Sequence, residues 1–346
     1  MKLTRGEIYF IGERDHETGK ATPYYKIGIV RDKDGRGSEK RLKEHQTGNP
    51  RPLFIHEVIE TEVVERVETL MHGVYAQLRR GDGEWFNFTE TALQAAIDQA
   101  NAFASEASLY APLFKECETL KDSTSTDVII PASEQLTQIH LRVLISEETI
   151  KQYKSVTTAI RNAMSEALEK GEDIGDAAKK AKVSEKETFN AKRLEEEQPE
   201  LYAKYITFVQ TVSRRWSLTR SKAGTEVEDY LTENVLPTVN EINEAISKAK
   251  SGALAKEELN KYNLMALEKL ALAEWEYELG IAELKVAIGT NAGIDGLCTW
   301  KTSTTKRKNF DTDKFREENF EIYKSYLELK TFGGQILVNP GQKSAG

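Results

Sequence analysis

Two short runs near the N-terminus, Glu7-Ile-Tyr-Phe-Ile-Gly and Tyr24-Tyr-Lys-Ile-Gly-Ile-Val, each set a polar-tipped side chain close to an isoleucine and a glycine. Strand packing accounts for the isoleucines but gives no reason for Tyr9 and Lys26 at matching places. A few residues on, Arg41 and His45 stand four apart in Ser38-Glu-Lys-Arg-Leu-Lys-Glu-His-Gln. A helix there turns both side chains to one face. A guanidinium is a planar fork of donors matched to phosphate oxygens, and a phenol can accept or relay a proton. Phosphate contact and proton transfer are therefore the chemistry these types can do. Each also has an ordinary reading. Tyr9 could be core, Lys26 a snorkelling surface chain, Arg41 one charge on a solvated helix face, and His45 a complement to a helix dipole.

The elements that must position these residues can be read from the pattern around them. The two runs are β-rich and bounded by turn residues, with a long polar loop between them. Ser38 is the expected N-cap of the short helix, and Thr47-Gly-Asn-Pro-Arg-Pro breaks it. Leu53–Glu60 reads as a third strand. A longer helix follows to about Arg80, capped by Thr61, with Val63, Val67, Leu70, Met71, Val74 and Leu78 on one face. Glu68 lies at the edge of that stripe, where a glutamate ordinarily points to solvent, and His72 one turn on reads as packing. Gly81-Asp82-Gly83 turns into Glu84-Trp-Phe-Asn-Phe, with Trp85 and Phe86 as core. A helix from Thr89 closes a unit spanning residues 1–106.

The chain has 346 residues, enough for two or three domains. With 39% hydrophobic and 30% charged residues it reads as soluble and folded. No apolar run approaches the roughly 18 residues of a membrane helix, and the N-terminus lacks the pattern of a signal peptide. Cys117 and Cys298 form no Cys-x-x-Cys pair, so neither a disulfide framework nor a zinc site is indicated. A reducing cytoplasm is expected. The net charge of -8 supplies no general field for nucleic acid, so any such contact must come from local basic patches.

Residues 107–131 lose periodicity and read as a linker. Beyond it the chain is mainly helical with short β-hairpins. Helices are expected over about 146–170, 226–250 and 255–288, the last apolar on more than one face, which calls for several neighbours or a partner chain. Residues 189–206 align without gaps on 310–327, with identities at Phe189/Phe310, Glu196/Glu317, Glu197/Glu318, Glu200/Glu321, Tyr202/Tyr323 and Tyr205/Tyr326. This suggests two repeat units, 132–224 and 254–340, joined by a helix over 225–253. Two basic clusters accompany them: Arg214, Arg215, Arg220 and Lys222, then Lys301, Lys306, Arg307 and Lys308. Positive hairpins can lie along a phosphate backbone, and charge runs also mark solvated faces.

Four features stand in a fixed order: Glu7-Ile-Tyr-Phe-Ile-Gly, Tyr25-Lys-Ile-Gly, the helix with Arg41 and His45, and Glu68-Thr-Leu-Met-His followed by Gly83-Glu-Trp-Phe. Together they resemble the GIY-YIG nuclease superfamily, in particular its phage DNA-binding-domain branch with Lys-Ile-Gly as second motif. The resemblance covers about residues 5–90. It implies an α+β fold, a small three-stranded antiparallel sheet flanked by helices, in which one Mg²⁺ (or Mn²⁺) serves hydrolysis of a DNA phosphodiester. It gives Tyr9, Lys26, Arg41, His45 and Glu68 catalytic roles, with Glu68 as the metal ligand, a hard oxygen donor of the kind Mg²⁺ takes. Tyr9 would accept or relay a proton if Lys26, Arg41 and the metal lower its pKa. Two departures stand out. Lys26 replaces the tyrosine of many members. The superfamily's late asparagine is absent, Arg80 standing near its place and Asn87 being the nearest. Residues 255–338 more weakly resemble a module appended to YqaJ-type viral recombinases. The expected function is a metal-dependent DNA endonuclease of phage, mobile-element or anti-phage origin. Its helical region would serve DNA targeting or oligomerisation, with Arg214, Arg215, Lys306, Arg307 and Lys308 as candidate nucleic-acid contacts. The alternative is a catalytically weak or inactive DNA-binding module acting in regulation or assembly.

Overall fold

The computed structural model describes residues 3–80, 84–220, 224–334 and 336–338. The expected turn Gly81-Asp82-Gly83 and the cluster residue Lys222 lie outside them.

The fold is α+β, as the sequence indicated. Strand β1 (Gly6–Arg14) pairs antiparallel with β2 (Ala21–Arg31). Helix α1 (Ser38–Gln46) crosses to β3 (Leu53–Thr61), which pairs on the other edge of β1. Helix α2 (Val64–Val74) returns, and two short strands, β4 (Arg79–Arg80) and β5 (Trp85–Asn87), extend the β2 edge. The order is β3-β1-β2-β5-β4, so the expected three strands form the body of a five-stranded sheet.

Alternation along the strands separates two faces. Ile8, Phe10, Tyr25 and Ile27 meet the apolar stripe of α2 and the small residues of α3 (Glu90–Lys121). Tyr9, Ile11 and Val30 meet Leu42 of α1, Val58 and Trp85. Helix α3 begins where Thr89 caps it, its side chain accepting from the Ala92 amide at 3.2 Å. It runs well past the expected boundary, so residues 107–121 are helix and not linker. Burial of Ala107 and Phe114 is the reason: one side of α3 stays in the core while the other loses its pattern to solvent.

The chain after α3 is tied down by β6 (Ile129–Ile130), and α4 (Glu134–Glu169) starts a dozen residues earlier than expected, capped by Ser133. Then come β7 (Ala178–Lys180), β8 (Ser184–Phe189), α5 (Ala191–Glu197), α6 (Pro199–Ala203) and β9 (Ile206–Leu218). The expected helix over 226–250 is broken near Pro237 into α7 (Gly224–Asn234) and α8 (Leu236–Lys250). Helix α9 (Leu259–Ile288) leads through β10 (Gly293–Ile294) into β11 (Cys298–Phe310). Helices α10 (Thr312–Glu318) and α11 (Phe320–Ser325) and strands β12 (Leu327–Phe332) and β13 (Ile336–Val338) end the described chain.

The two sequence copies are interlocked and do not form successive units. The first strand of each pairs with the last strand of the other: β8 with β12, β11 with β9. Phe189 faces Leu327 and Phe310 faces Ile206, which are the same aligned pair with the copies exchanged. Ring contacts repeat the exchange, Tyr202 stacking on Phe310 at 4.8 Å and Tyr323 on Phe189 at 4.9 Å. Asn190 and Asp311, at equivalent positions, cap α5 and α10 alike. A local two-fold exchange of strands explains why one sequence pattern occurs twice.

Helix α9 joins the halves. One side packs on α4 and α8; the other lies on α2 and α3, sending Trp275, Leu279 and Ala282 into the core of the N-terminal sheet. Arg66 of α2, 8% exposed, reaches Glu278 at 3.9 Å and lies over Trp275. The several apolar faces of α9 are thus covered within the chain and do not call for a second copy. Helices α2 and α9 come close at Gly73, where a Cβ atom would lie 2.5 Å from the Ala271 Cβ. Gly73→Ala is therefore expected to lower stability by about 1–3 kcal/mol through overpacking, despite alanine's better helix propensity. Adding Ala271→Gly should restore most of the loss. Urea melts of both variants test this, and an unchanged midpoint for Gly73→Ala would mean that α2 and α9 do not meet at this distance.

Candidate functional site

The first constraint on the site is Glu7. It shares a strand face with Tyr9, and its carboxylate accepts from the Ser38 amide at 2.9 Å and from the Ser38 hydroxyl. Gly37, not Ser38, occupies the cap position of α1, so a carboxylate from the sheet satisfies the first turn. At the far end Gln46 donates to the Asn49 and Arg51 carbonyls and accepts from the Leu53 amide. Both ends of α1 are thereby fixed to the sheet, with Arg41 and His45 set over Tyr9.

The glycines now have a reason. Tyr9 pairs with Gly28, and a Cβ there would stand 2.4 Å from the Tyr9 hydroxyl. Gly28 leaves the space across which the phenol lies. Gly12 does the same for the rings of Phe54 and Tyr25 on the other face. Tyr25 thus points away from Tyr9, as alternation requires. Lys26, opposite Ile11, points toward it.

Tyr9 is 1% exposed, and its hydroxyl lies 3.1 Å from Nε2 of His45. Burial raises the Tyr9 pKa above its ordinary value, and the neighbouring Arg41 opposes this only in part. The expected lowering is not seen with the chain alone, and Tyr9 is a neutral phenol at pH 7. Burial first, then the charges of Lys26 and Arg41, lower His45 to about 4, so its imidazole is neutral too. Arg41 also binds Glu44 one turn on at 2.7 Å.

Lys26 is buried and pairs with Glu84 at 2.5 Å, just before β5 opposes Lys26 in the sheet. Sequence reasoning passed over Glu84 as part of a core motif. No local pattern could have marked it, because its role depends on the long-range pairing of β2 with β5. Glu68 sits on the flank of α2 facing the β2 edge. One turn on, Nε2 of His72 lies 3.0 Å from the Ile27 carbonyl oxygen. Burial, then the charge of Glu84, pushes Glu68 up to about 7, while Arg31 and Lys26 pull it down. Arg79, also partly buried, feels both Glu84 and Glu68. Tyr9 and His45 meet beside Arg41 under α1, and Glu84, paired with Lys26, and Glu68 lie near enough for their charges to act on the Tyr9 phenol. Arg31 acts in turn on Glu68, and Glu68 on Arg79. Among the described residues no three His, Cys, Asp or Glu side chains form a metal cage. Of the two neighbouring carboxylates, Glu84 is held by Lys26.

Residues 6–101 match the T5orf172 domain family. That family is associated with phage-type, GIY-YIG-like nuclease domains, and the match covers the N-terminal sheet together with the first part of α3. No curated protein and no solved structure matches the chain.

The five basic residues singled out farther along are not alike. Arg214 is 7% exposed, and its guanidinium lies 3.9 Å over the Trp300 ring. It donates to the carbonyls of Trp300, Gly289 and Asn291. It is a structural pin and is not available to nucleic acid. Arg215, Lys306, Arg307 and Lys308 are exposed on β9 and β11.

The two buried imidazoles set a pH dependence. His45 and His72 both have folded pKa values of about 4 against 6.5 unfolded. Between those values the unfolded chain binds more protons at these two sites, so they remove stability as pH drops through 6.5 toward 4, against the opposite contribution of Glu68, whose carboxyl is raised to about 7. In a Glu68→Gln background, urea midpoints measured across that range should decline, and His72→Gln should flatten the decline. A slope unaltered by His72→Gln would remove His72 from the account.

Proposed function

We propose that the T5orf172-type domain is a metal-dependent endonuclease site acting on DNA phosphodiester bonds. The observation that carries this is the grouping of a half-buried carboxylate, a phenol–imidazole pair and a guanidinium whose charges act on one another. Glu68 would hold Mg²⁺ or Mn²⁺. The fit rests on donor chemistry: Mg²⁺ takes one or two hard carboxylates and keeps several waters, and Glu68 is a carboxylate whose charge is poorly compensated where it lies. When bound, such a cation supplies charge stabilisation to the phosphoryl and leaving oxygens.

The chain's own groups do the remainder. Arg41 binds the phosphate, exchanging part of its contact with Glu44 for the stronger pair. Tyr9 stands between incoming water and His45. As the water oxygen bonds to phosphorus and the bond to the leaving oxygen breaks, the water proton passes to the phenol oxygen and the Tyr9 proton to Nε2 of neutral His45, and the negative phosphate favours the imidazolium that forms. Lys26 holds Glu84 so that this carboxylate does not repel the substrate. The site is built from secondary-structure elements, with α1 anchored at both ends, which suits a reaction that depends on positioning.

Plasmid nicking with Mg²⁺ or Mn²⁺ tests the reading. Glu68→Ala and Arg41→Ala should each lower the rate by about 10²–10³-fold, the range found for removal of one transition-state stabiliser. Cleavage retained in Glu68→Ala would overturn it. Absence of cleavage by the native chain, with salt-sensitive plasmid binding, would favour the binding-module alternative.

A second measurement reads the cation without turnover. Mn²⁺ should raise the melting temperature of the native protein and leave that of Glu68→Gln unchanged. Without metal, Glu68→Gln should melt higher than the native chain at pH 8. A carboxyl with its folded pKa raised to about 7 destabilises progressively as pH climbs from 4.5 through 7, and the amide does not. A Glu68→Gln protein that still responds to Mn²⁺ would place the cation elsewhere.

A further inference from the structure

Strands β9 and β11, each 13 residues long, pair along their whole length and run from the main helical core to the interlocked tip. Neither contains Asp or Glu, in a chain that has 56 of them. The two faces of this ribbon differ. One carries Trp300, Trp216 and buried Arg214 at its base and Lys306, Lys308, Val212 and Phe208 farther out. There Lys308 is paired with Glu195 and Lys306 lies over the Phe208 ring.

The other face carries Lys301, Ser303, Thr305, Arg307 and Asn309 on β11, against Arg215, Ser213, Thr211, Val209 and Thr207 on β9. It is open to solvent along most of its length, Ser303 alone of these being part-buried. Arg215 and Lys301 stand directly opposite each other. Like charges so placed destabilise a sheet, and neither meets a carboxylate among the described residues, nor does Arg307. A ribbon selected for folding alone would not keep this pair.

We propose that this face is a second nucleic-acid contact, a hydroxyl- and guanidinium-lined ribbon that lies on the phosphates of duplex DNA. Three unpaired cations on an overall acidic chain supply the charge complementarity. The comb of Ser, Thr and Asn side chains donates to phosphate oxygens. Two-stranded ribbons fit B-form duplex, whereas the narrow major groove of A-form RNA does not admit side chains. The face has no aromatic ring on which single-stranded bases could stack. The contact lies outside residues 6–101 and does not depend on whether the T5orf172-type site cuts.

Fluorescence anisotropy of the full chain with a labelled random-sequence DNA duplex tests the proposal. The variant Arg215→Ala/Lys301→Ala/Arg307→Ala should weaken binding about tenfold or more. It should also make the slope of log K against log salt shallower by roughly 2–3, at about 0.9 per phosphate lost. The charge-matched Lys192→Ala/Lys261→Ala/Lys269→Ala should change neither. The loss should be the same in an Arg41→Ala background, which separates the ribbon from the N-terminal site. Lys301→Arg should preserve binding, showing that charge and not local packing is read. Unchanged affinity and salt slope in the ribbon variant would overturn the proposal. So would tighter binding of single-stranded DNA or duplex RNA than of the DNA duplex.

Discussion

The structure depends on one helix being needed on two sides. Helix α9 gives part of its surface to α4 and α8 and part to the N-terminal sheet, where Trp275 and Leu279 are buried with residues of α2 and α3. A helix that is apolar around much of its circumference must find cover in several directions, and here all of it comes from the same chain. The N-terminal unit therefore does not own its whole core. Burial of a side chain as large as Trp275 contributes a few kcal/mol, a large share of the stability of a small domain. The position of α2, and with it Glu68, is accordingly set in part by residues two hundred places away in the sequence.

Within that frame the site is an arrangement of charges that do not cancel. Lys26 and Glu84 satisfy each other, as do Arg31 and Glu65 at 2.5 Å. Glu68 is left with burial and a like charge as its largest influences. A carboxyl in such surroundings holds its proton to higher pH. The two glycines of the sequence motifs serve this arrangement from opposite faces of one sheet. Gly28 admits the Tyr9 phenol to the face beneath α1, and Gly12 admits two rings to the opposite one. Their value is the absence of a side chain next to a large one; neither is needed for a left-handed turn.

Much of this could be read from the sequence because it is local. The strands, the helix with Arg41 and His45 four apart, and the stripe of α2 follow from alternation and helical spacing. What escaped was set at long range. Glu84 matters because β5 lies beside Lys26. Arg214 looked like part of a basic cluster, yet alternation puts it on the face of β9 that covers Trp300. The expected linker continued as helix because Phe114 is buried against Trp275 from α9. The raised pKa of Tyr9 could not be foreseen, because nearby cations and deep burial pull in opposite directions and only the packed structure shows which is larger.

The interlocked repeat makes the same point from another direction. Alignment of residues 189–206 with 310–327 predicts two similar pieces but is silent on whether they stand side by side or exchange strands. Exchange is favoured where each copy leaves a strand edge unpaired, because exposed edges seek partners. Pairing β8 with β12 and β9 with β11 closes one edge of every strand in the copies at once. It also obliges β9 and β11 to run together between the helical core and the aromatic cluster of Phe189, Phe310 and Phe315. The long ribbon is thus a consequence of the exchange. Because α9 passes into β11 through only the short β10 segment, the helix that completes the core around the N-terminal sheet also sets the direction in which the ribbon leaves the body.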